Sequence, residues 1–272
     1  MIPTPDLSIV IPAYNEESRI ASTIRDIVSY CRSQGRVFEL ILVDDGSLDG
    51  TTAVGRILSK EYPELRLIRL AANHGKGYAV RTGVLNAIGR RILFADADGA
   101  TPIEEIARLE AALSGGADLA VGSRAVRANG VRVEAKLYRH LIGRTFHKMV
   151  EWLADAGVKD TQCGFKLFRA AAAQDLFSRL RMNGFSFDVE LLMIARRRDY
   201  QVAEVPVNWT HQPGSKVSLM RDSMRMAADL VRIRGRCLGG EYESLHLARW
   251  SHALEPDSTL HGSSATPALS SQ

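Results

Sequence analysis

Cysteine and long apolar runs are scarce in this sequence. Its 272 residues include three cysteines, Cys31, Cys163 and Cys237, and no two of them form a CxxC pair. This spacing excludes a disulfide scaffold and a zinc knuckle, and it is typical of a reducing compartment. No stretch approaches the roughly 18 uninterrupted apolar residues of a membrane-spanning helix, so none is predicted. The sequence passes from Asp6 directly into an apolar run, so no signal peptide is predicted either.

Charge is distributed unevenly along a chain of ordinary globular composition. Residues 123–238 carry 21 basic and 11 acidic side chains, a net charge of +10, whereas residues 1–122 carry 13 and 16, a net charge of −3. Such asymmetry indicates an anionic partner, or else a basic face that is merely solvated. Neither a helix-turn-helix pattern nor a basic platform interleaved with aromatic residues is present, so a nucleic-acid partner is not predicted.

Buried strands alternate with amphipathic helices in the first half of the chain. Strands are predicted at 7–11, 38–43, 65–70, 91–95 and 118–121, and helices at 16–32, 49–58, 77–88 and 102–113. This order predicts an α/β fold with a mostly parallel central sheet and helices on both faces. Ligands of such sheets bind beyond the carboxyl ends of the strands.

The second half has a different pattern. Helices are predicted at 134–154, 185–197 and 217–236, and a strand at 201–209. The last of these helices is basic and amphipathic, with an apolar stripe formed by Met220, Met224, Ala227, Ala228 and Val231. Residues 251–272 show no periodicity and are predicted to form a disordered tail.

Two carboxylates one residue apart follow the fourth predicted strand, in Asp96-Ala97-Asp98. Such a pair at the edge of a sheet can hold a hard divalent cation between the protein and a diphosphate. The structural alternative is a turn stabilised by an aspartate side chain.

Polar residues follow the neighbouring strands as well. Asp44 and Asp45 end the second strand, where a carboxylate can accept a hydrogen bond from the N–H of a nucleotide base, although an ordinary turn accounts for Ser47 and Asp49 beside them. Lys76 lies between two glycines and can reach a phosphate, or it is a surface lysine in a turn. The spacing of these glycines matches neither a dinucleotide-binding motif nor a P-loop.

Arginines follow the fifth strand. Arg124, in Gly122-Ser123-Arg124, is expected to face the same cleft as the acids, and its planar guanidinium suits phosphate oxygens. Arg139 lies further along and has the same chemistry, or else it occupies a solvated helix face.

Taken together, these motifs resemble a family 2 glycosyltransferase of the GT-A fold. The resemblance covers about residues 6–238 and is carried in the first half by Pro12 to Glu17, Val43 to Ser47, Asn73 to Gly83, Asp96 to Asp98 and Gly122 to Arg124. In the second half, Asp160 to Phe168, Phe187 to Leu191, Asn208 to Thr210 and Gly214 to Lys216 look like the dolichyl-phosphate glucosyltransferase branch of that family.

The resemblance implies inverting transfer of glucose from UDP-glucose to a polyprenyl phosphate. It implies one domain over 1–238, with a nucleotide-binding half (1–122) and an acceptor- and membrane-facing half (123–238). The residues that it assigns to the nucleotide sugar are Pro12, Tyr14, Glu16, Asp44, Asp45, Lys76, Asp96, Ala97, Asp98 and Lys216. Asp96 and Asp98 are expected to hold Mg²⁺ or Mn²⁺.

Other residues are assigned to the acceptor side. Arg124, Arg139 and Lys216 are expected to bind the acceptor phosphate. Asp188, with Glu190, is a candidate for orienting the sugar hydroxyls or these arginines, unless the two acids only complement the start of a helix.

Three positions favour glucose over mannose as the sugar. The related mannosyltransferases place Gln at the position of Ala100 and Arg at that of Thr210, and they commonly lack an acid at that of Asp188. At these points the sequence resembles the glucosyltransferase branch.

Several alternatives stay open. The chain could use another sugar nucleotide, such as GDP-mannose or UDP-galactose, or a soluble acceptor; no QxxRW signature of processive synthases is present. It could also be an inactive nucleotide-sugar-binding partner subunit. The helices around 135–154 and 217–236 are expected to dock on an anionic membrane surface, which predicts a cytoplasmic, peripheral location, or to pack on the domain or on a second copy in a homo-oligomer.

Overall fold

The computed structural model describes residues 4–128, 130–134, 157–212 and 219–242. Seven strands form one sheet in the order β3-β2-β1-β4-β7-β5-β8. They are β1 (Leu7–Ala13), β2 (Phe38–Asp44), β3 (Leu65–Arg69), β4 (Arg91–Ala95), β5 (Leu119–Ser123), β7 (Phe165–Arg169) and β8 (Val202–Pro206). A separate two-stranded sheet pairs β6 (Val133–Glu134) with β9 (Trp209–Thr210).

Helices cover both faces of the large sheet. They are α1 (Ile20–Ser33), α2 (Thr51–Glu61), α3 (Lys76–Leu85), α4 (Ile106–Ser114, preceded by a 3₁₀ turn at Ile103–Glu105), α5 (Ala170–Arg179), α6 (Phe187–Arg197) and α7 (Leu219–Leu238). One core lies between the sheet and α1, α2 and α4, and the other between the sheet and α3, α5, α6 and α7. Strand β1 shows why its run is continuously apolar: Ile9 and Ile11 enter the first core while Val10 enters the second. The predicted α/β architecture is confirmed.

Strand β7 is the one antiparallel member of this sheet among the described residues. It pairs with β4 on one side and β5 on the other, while the remaining neighbours run parallel. The sequence analysis predicted neither β7 nor the helix α5 that follows it. The single strand predicted at 201–209 was wrong in its extent. Strand β8 ends at Pro206, and its pairing with β5 closes where Val207 N donates to Ser123 O at 3.2 Å. The chain then leaves β5, and Trp209 N on β9 donates to Arg132 O at 3.0 Å.

Some predicted features lie outside the described residues. They are most of the helix at 134–154 with Arg139, the segment that carries Lys216, and the tail at 251–272. Among the residues that are described, no helix combines the length and the apolar character needed to cross a bilayer.

Helix α3 packs unusually close to the sheet because of a glycine. A Cβ added at Gly83 would lie 2.3 Å from Val10 Cγ1 on β1 and 3.0 Å from Val43 Cγ2 on β2. On α7, a Cβ added at Gly235 would meet nothing within 4 Å. Both glycines lie within helices, so alanine improves helix propensity at both positions. Only at Gly83 does the added Cβ also clash with the sheet.

We expect Gly83→Ala and Gly235→Ala to change stability in opposite directions. Alanine favours a helix over glycine by about 1 kcal/mol, so Gly235→Ala should raise the free energy of unfolding by up to that amount. Gly83→Ala should lower it by about 1–3 kcal/mol through overpacking against β1. Urea unfolding followed by circular dichroism measures both, and stabilisation by Gly83→Ala would contradict the packing described here.

Candidate active site

The loops after β1 and β2 are tied together at the carboxyl edge of the sheet. Asn15 Oδ1 accepts a hydrogen bond from Leu48 N (2.8 Å), and Asn15 N donates one to Ser47 Oγ (2.9 Å). Glu16 N donates to Thr51 Oγ1 at 2.7 Å. Pro12 lies on β1 itself, and the loop that carries Tyr14 and Glu16 lies beside the end of β2 at Asp44, because β1 and β2 are neighbouring parallel strands.

Asp44 and Asp45 are both buried and hold these turns. Asp44 Oδ1 accepts from Ser47 N at 2.9 Å, and Oδ2 accepts from the Thr52 hydroxyl. Asp45 accepts from the backbone N–H groups of His74 and Gly75, each at 2.8 Å. The Asp44 carboxylate thus holds the turn between β2 and α2, and the Asp45 carboxylate joins the loops after β2 and β3. Their contact with a nucleotide stays a prediction.

Asp96 and Lys76 form an ion pair where the loops after β3 and β4 meet. Lys76 Nζ lies 2.7 Å from Asp96 Oδ1. Burial alone would lower the pKa of Lys76, but the surrounding carboxylates, Asp96 foremost, raise it overall. The Asp96 side chain remains 33% exposed and borders an open groove of about 460 Å³ between α1 and the 3₁₀ turn, so it is accessible from solvent.

Asp98, the second member of the acidic pair, is half-buried, as Asp96 is. Its Oδ1 accepts from Ala100 N at 3.1 Å, and Ala97 O, between the two acids, accepts from Thr23 Oγ1 on α1 at 2.8 Å. Burial, followed by the charge of Asp96, raises the pKa of Asp98. A divalent cation would stabilise the ionised form of a half-buried carboxylate that lies close to the charge of a second carboxylate.

Arg124 lies on the far side of β7 and is held by Asp160. Its Nε and Nη2 donate to the two Asp160 oxygens at 2.7 and 2.8 Å, and its backbone N donates at 2.9 Å. The guanidinium carbon lies 5.4 Å from the centre of the Trp209 ring. Burial would lower the pKa of Arg124, but Asp160 raises it overall. The arginine is therefore fixed in one plane beside the cleft.

A fully buried ion pair lies beneath Asp96. Lys166 on β7 donates from Nζ to Asp188 Oδ1 and to Cys163 O, both at 2.6 Å. The Lys166 and Lys76 ammonium groups lie 5.7 and 5.4 Å from the centre of the Phe94 ring. Burial raises the pKa of Asp188, and Lys166 opposes that shift. The Asp188 carboxylate is thus engaged by the protein itself, and its proposed part in catalysis stays a prediction.

Glu190 stabilises the turn before α6. Its Oε2 accepts from the backbone N–H groups of Arg181 (2.9 Å) and Met182 (2.7 Å), and its Oε1 accepts from the Tyr242 hydroxyl (2.7 Å). These hydrogen bonds join α6 to the turn before it and to the segment that follows α7, so Glu190 has a structural role.

Three residues that hold this site, Asp160, Gly164 and Lys166, belong to the motif Asp160 to Phe168, but that motif predicts no role for them. Lys166 interrupts an apolar run, Phe165-Lys166-Leu167-Phe168, and a lone charge in such a run signals a buried partner. Asp160 and Gly164 carry no comparable local signal, because their partners Arg124 and Asp96 are distant in sequence. Arg139 and Lys216 lie outside the described residues.

The family model for glycosyl transferase family 2 matches residues 8–177, which include β1 to β5, β7 and the acidic pair. The chain belongs to glycosyltransferase family 2. It is therefore a glycosyltransferase, and its sheet with covering helices has the GT-A fold.

The chain is also similar to individual proteins, two by sequence and two by structure. A Saccharomyces cerevisiae protein named dolichyl-phosphate beta-glucosyltransferase is 41% identical over 254 residues, 87% of this chain and 76% of that protein. The Homo sapiens protein of the same name is 39% identical over 253 residues, covering 88% and 78%. Glucosyl-3-phosphoglycerate synthase from Mycobacterium tuberculosis, solved with Mn²⁺, UDP-glucose and phosphoglyceric acid, has a TM-score of 0.63 at 22% identity, covering 85% and 80%. Mannosyl-3-phosphoglycerate synthase from Rubrobacter xylanophilus has a TM-score of 0.62 at 19% identity, covering 91% and 78%.

Removing one partner of the buried pair should destabilise this glycosyltransferase strongly. Lys166→Met leaves the Asp188 carboxylate buried and unpaired, so we expect the free energy of unfolding to fall by about 3–5 kcal/mol. The double variant Lys166→Met/Asp188→Leu should recover most of the loss, because it removes both charges.

Urea unfolding of both variants measures this effect. The matched control is Arg32→Met, which breaks the exposed pair between Arg32 and Glu64 and should cost less than about 1 kcal/mol. A Lys166→Met protein as stable as the control variant would contradict the structural role of the buried pair.

Proposed function

We propose that the protein transfers glucose from UDP-glucose to the phosphate of a polyprenol, with inversion at the anomeric carbon. The observation that carries this proposal is the grouping of Asp96, Asp98 and Lys76 on one side of β7 with Arg124 on the other, in a chain 37–41% identical to several proteins named dolichyl-phosphate beta-glucosyltransferase. UDP-glucose carries an α linkage, so a β product requires inversion.

The donor side of the cleft fits a metal-bound diphosphate. Asp96 and Asp98 would hold Mg²⁺ or Mn²⁺. Partial burial and the neighbouring charge of Asp96 raise the pKa of Asp98, and a divalent cation would offset both effects. Among the described residues no group of three or more His, Cys, Asp or Glu could ligate a metal, so the remaining ligands would come from the diphosphate and water. Such a cation, when bound, would stabilise the charge that develops on the UDP leaving group.

The acceptor side supplies a rigid cation. Arg124 would orient the acceptor phosphate, together with Arg139 and Lys216, while Asp160 and Trp209 keep its guanidinium in one plane. A phosphate monoester is already an anion near neutral pH, so attack on the sugar needs no strong general base. Asp188, fixed by Lys166, would act by orienting groups around the sugar.

A soluble phosphorylated acceptor is the second candidate. The phosphoglycerate synthases share the fold, and one of them was solved with phosphoglyceric acid, which also presents a phosphate. The relatives at higher sequence identity favour the lipid.

We expect metal-dependent transfer of labelled glucose into the organic phase when the protein is mixed with UDP-glucose and a short polyprenyl phosphate. Asp98→Asn should lower the turnover number at least about 100-fold, because it removes a charge from the proposed metal site. The matched control Asp199→Asn changes an exposed carboxylate in the turn after α6, at a positive φ that asparagine also adopts, and should leave turnover unchanged. GDP-mannose and UDP-galactose test the sugar, and phosphoglyceric acid tests a soluble acceptor. Full turnover in Asp98→Asn would remove the metal assignment.

Peripheral binding to an anionic, cytoplasmic membrane face belongs to the same proposal. Helix α7 is anchored by Leu230, Ile233 and Cys237, which lie in the second core. Another face of the same helix is exposed and apolar along Val231 and Leu238, which are 64% and 76% exposed. The exposed side chains of Arg232 and Arg234 flank this face. Apolar groups bordered by arginines suit the interface of an anionic bilayer.

We expect the protein to co-sediment with liposomes containing anionic lipid and to be released by high salt. Val231→Glu/Leu238→Glu should weaken binding at least about tenfold, because both apolar contacts are lost and two negative charges are added. Ile57→Glu, at a residue 65% exposed on α2, is the matched control and should change binding little. Equal binding by all three proteins would exclude this face of α7 as the docking surface.

A further inference from the structure

One oxygen of the proposed metal site is already engaged. Asp96 Oδ1 is 2.7 Å from Lys76 Nζ. The Lys76 ammonium also lies near the rings of Phe94 and Phe185, at 5.4 and 5.9 Å from their centres. A cation brought to Asp96 must therefore share this carboxylate with an internal cation or displace it.

The other side of the same carboxylate is confined by Gly164. Asp96 N donates to Gly164 O at 3.0 Å, and a Cβ added at Gly164 would lie 1.9 Å from Asp96 Oδ2. The carboxylate is thus enclosed between Lys76 and the backbone of the segment before β7. Lys76 has the longer and more flexible side chain, so it is the partner that can move away.

The protein alone offers a metal few oxygens. Asp96 and Asp98 supply two carboxylates, of which Asp96 Oδ1 contacts Lys76 and Asp98 Oδ1 accepts from Ala100 N. Mg²⁺ requires about six oxygens in near-octahedral geometry, and the described residues offer no third acid, His or Cys at this place. A diphosphate can supply both the missing oxygens and a new anionic partner for Lys76.

We propose that Lys76 is an exchangeable counter-cation. Its ammonium group neutralises Asp96 in the ligand-free enzyme, and it leaves Asp96 to pair with the diphosphate when nucleotide and metal bind together. This inference rests on the proposed metal role of Asp96 and Asp98. Metal binding without nucleotide is disfavoured, since it leaves the Lys76 ammonium without its carboxylate. Nucleotide binding removes that penalty, so each ligand raises the affinity of the other by the same factor. The rings of Phe94 and Phe185 keep the ammonium at the cleft in both states.

The direct test measures Mn²⁺ binding by electron paramagnetic resonance of the free ion, with and without UDP. Lys76→Met should bind Mn²⁺ without UDP about tenfold more tightly than the wild type, and the enhancement of Mn²⁺ affinity by UDP should shrink by a similar factor. Lys76→Arg keeps the charge and should keep the wild-type enhancement. Equal or weaker Mn²⁺ binding by Lys76→Met without UDP would overturn the exchange.

Two further variants separate the exchange from simpler effects. Arg19 bonds to Glu16 and adds to the positive field at Asp96 and Asp98, so Arg19→Met removes a nearby charge without freeing Asp96. If Arg19→Met raises Mn²⁺ affinity as much as Lys76→Met, a general field effect replaces the exchange.

Gly164→Ala should act in the opposite direction to Lys76→Met and weaken Mn²⁺ binding with and without UDP, because its Cβ displaces Asp96. Gly235→Ala on α7, where a Cβ meets nothing within 4 Å, is its control, and a Gly164→Ala protein that binds Mn²⁺ as the control does would overturn the clamped geometry.

The outcomes distinguish this inference from the proposed function. Wild-type protein that binds no Mn²⁺ even with UDP would overturn the metal assignment and the exchange together. Metal-coupled UDP binding with identical Mn²⁺ affinities for wild type and Lys76→Met would overturn the exchange alone. The expected shifts in Mn²⁺ binding, in a protein that transfers no sugar to lipid, would support the exchange and remove only the lipid acceptor.

Discussion

The insertion of β7 between β4 and β5 is the constraint on which the site depends. Because β7 runs antiparallel, the segment before it arrives at the carboxyl ends of its parallel neighbours, where Gly164 O accepts the N–H of Asp96. The same strand separates the end of β4 from the end of β5 by two strand spacings, about 10 Å. The acidic pair and Arg124 are thereby held apart along the carboxyl edge of the sheet. The donor diphosphate and the acceptor phosphate of the proposed reaction would need such a separation, since a sugar must lie between them.

Internal pairing governs the electrostatics of this cleft. Lys76 is paired with Asp96, Arg124 with Asp160, and Arg19 with Glu16. A phosphate that enters therefore meets cations that already have carboxylate partners, and it must compete for them. Because these cations and carboxylates compensate each other around the half-buried Asp98, the ligand-free site attracts a lone anion less strongly. A ligand that brings both a phosphate and a divalent cation exchanges partners on both sides and leaves no charge uncompensated.

The elements that could be predicted from the sequence are those with local signals. The runs of β1, β2, β4 and β5 are buried on both faces along most of their length, so continuous apolar residues marked them, and polar residues follow them at the carboxyl edge of the sheet. Strand β3 lies at the side edge of the sheet and is buried only at Leu65. Strand β7 escaped because Lys166 breaks its apolar pattern, and the charge is compensated by Asp188 from a helix further along the chain. The roles of Gly164 and Asp160 could not be predicted either, because these residues contact Asp96 and Arg124, which are distant in sequence and are brought close only by the tertiary fold. Local pattern therefore predicts candidate ligand-binding groups at one edge of the sheet, but it does not identify the groups that hold their side chains in place.

Helix α7 presents two different faces, one packed on the core and one exposed. Its buried positions fix it to the core, and Asp229 on the same helix accepts a hydrogen bond from Ser186 Oγ at 2.8 Å. Ser186 directly follows Phe185, whose ring lies against the Lys76 ammonium at the donor site. A membrane contact on the exposed face of α7 would therefore act on a helix that is bonded, through one side chain, to the segment bordering the nucleotide cleft. Because the helix is anchored rather than loosely attached, its docking would orient the cleft relative to the bilayer in which a prenyl chain is embedded, and this orientation is what a lipid acceptor requires and a soluble one does not.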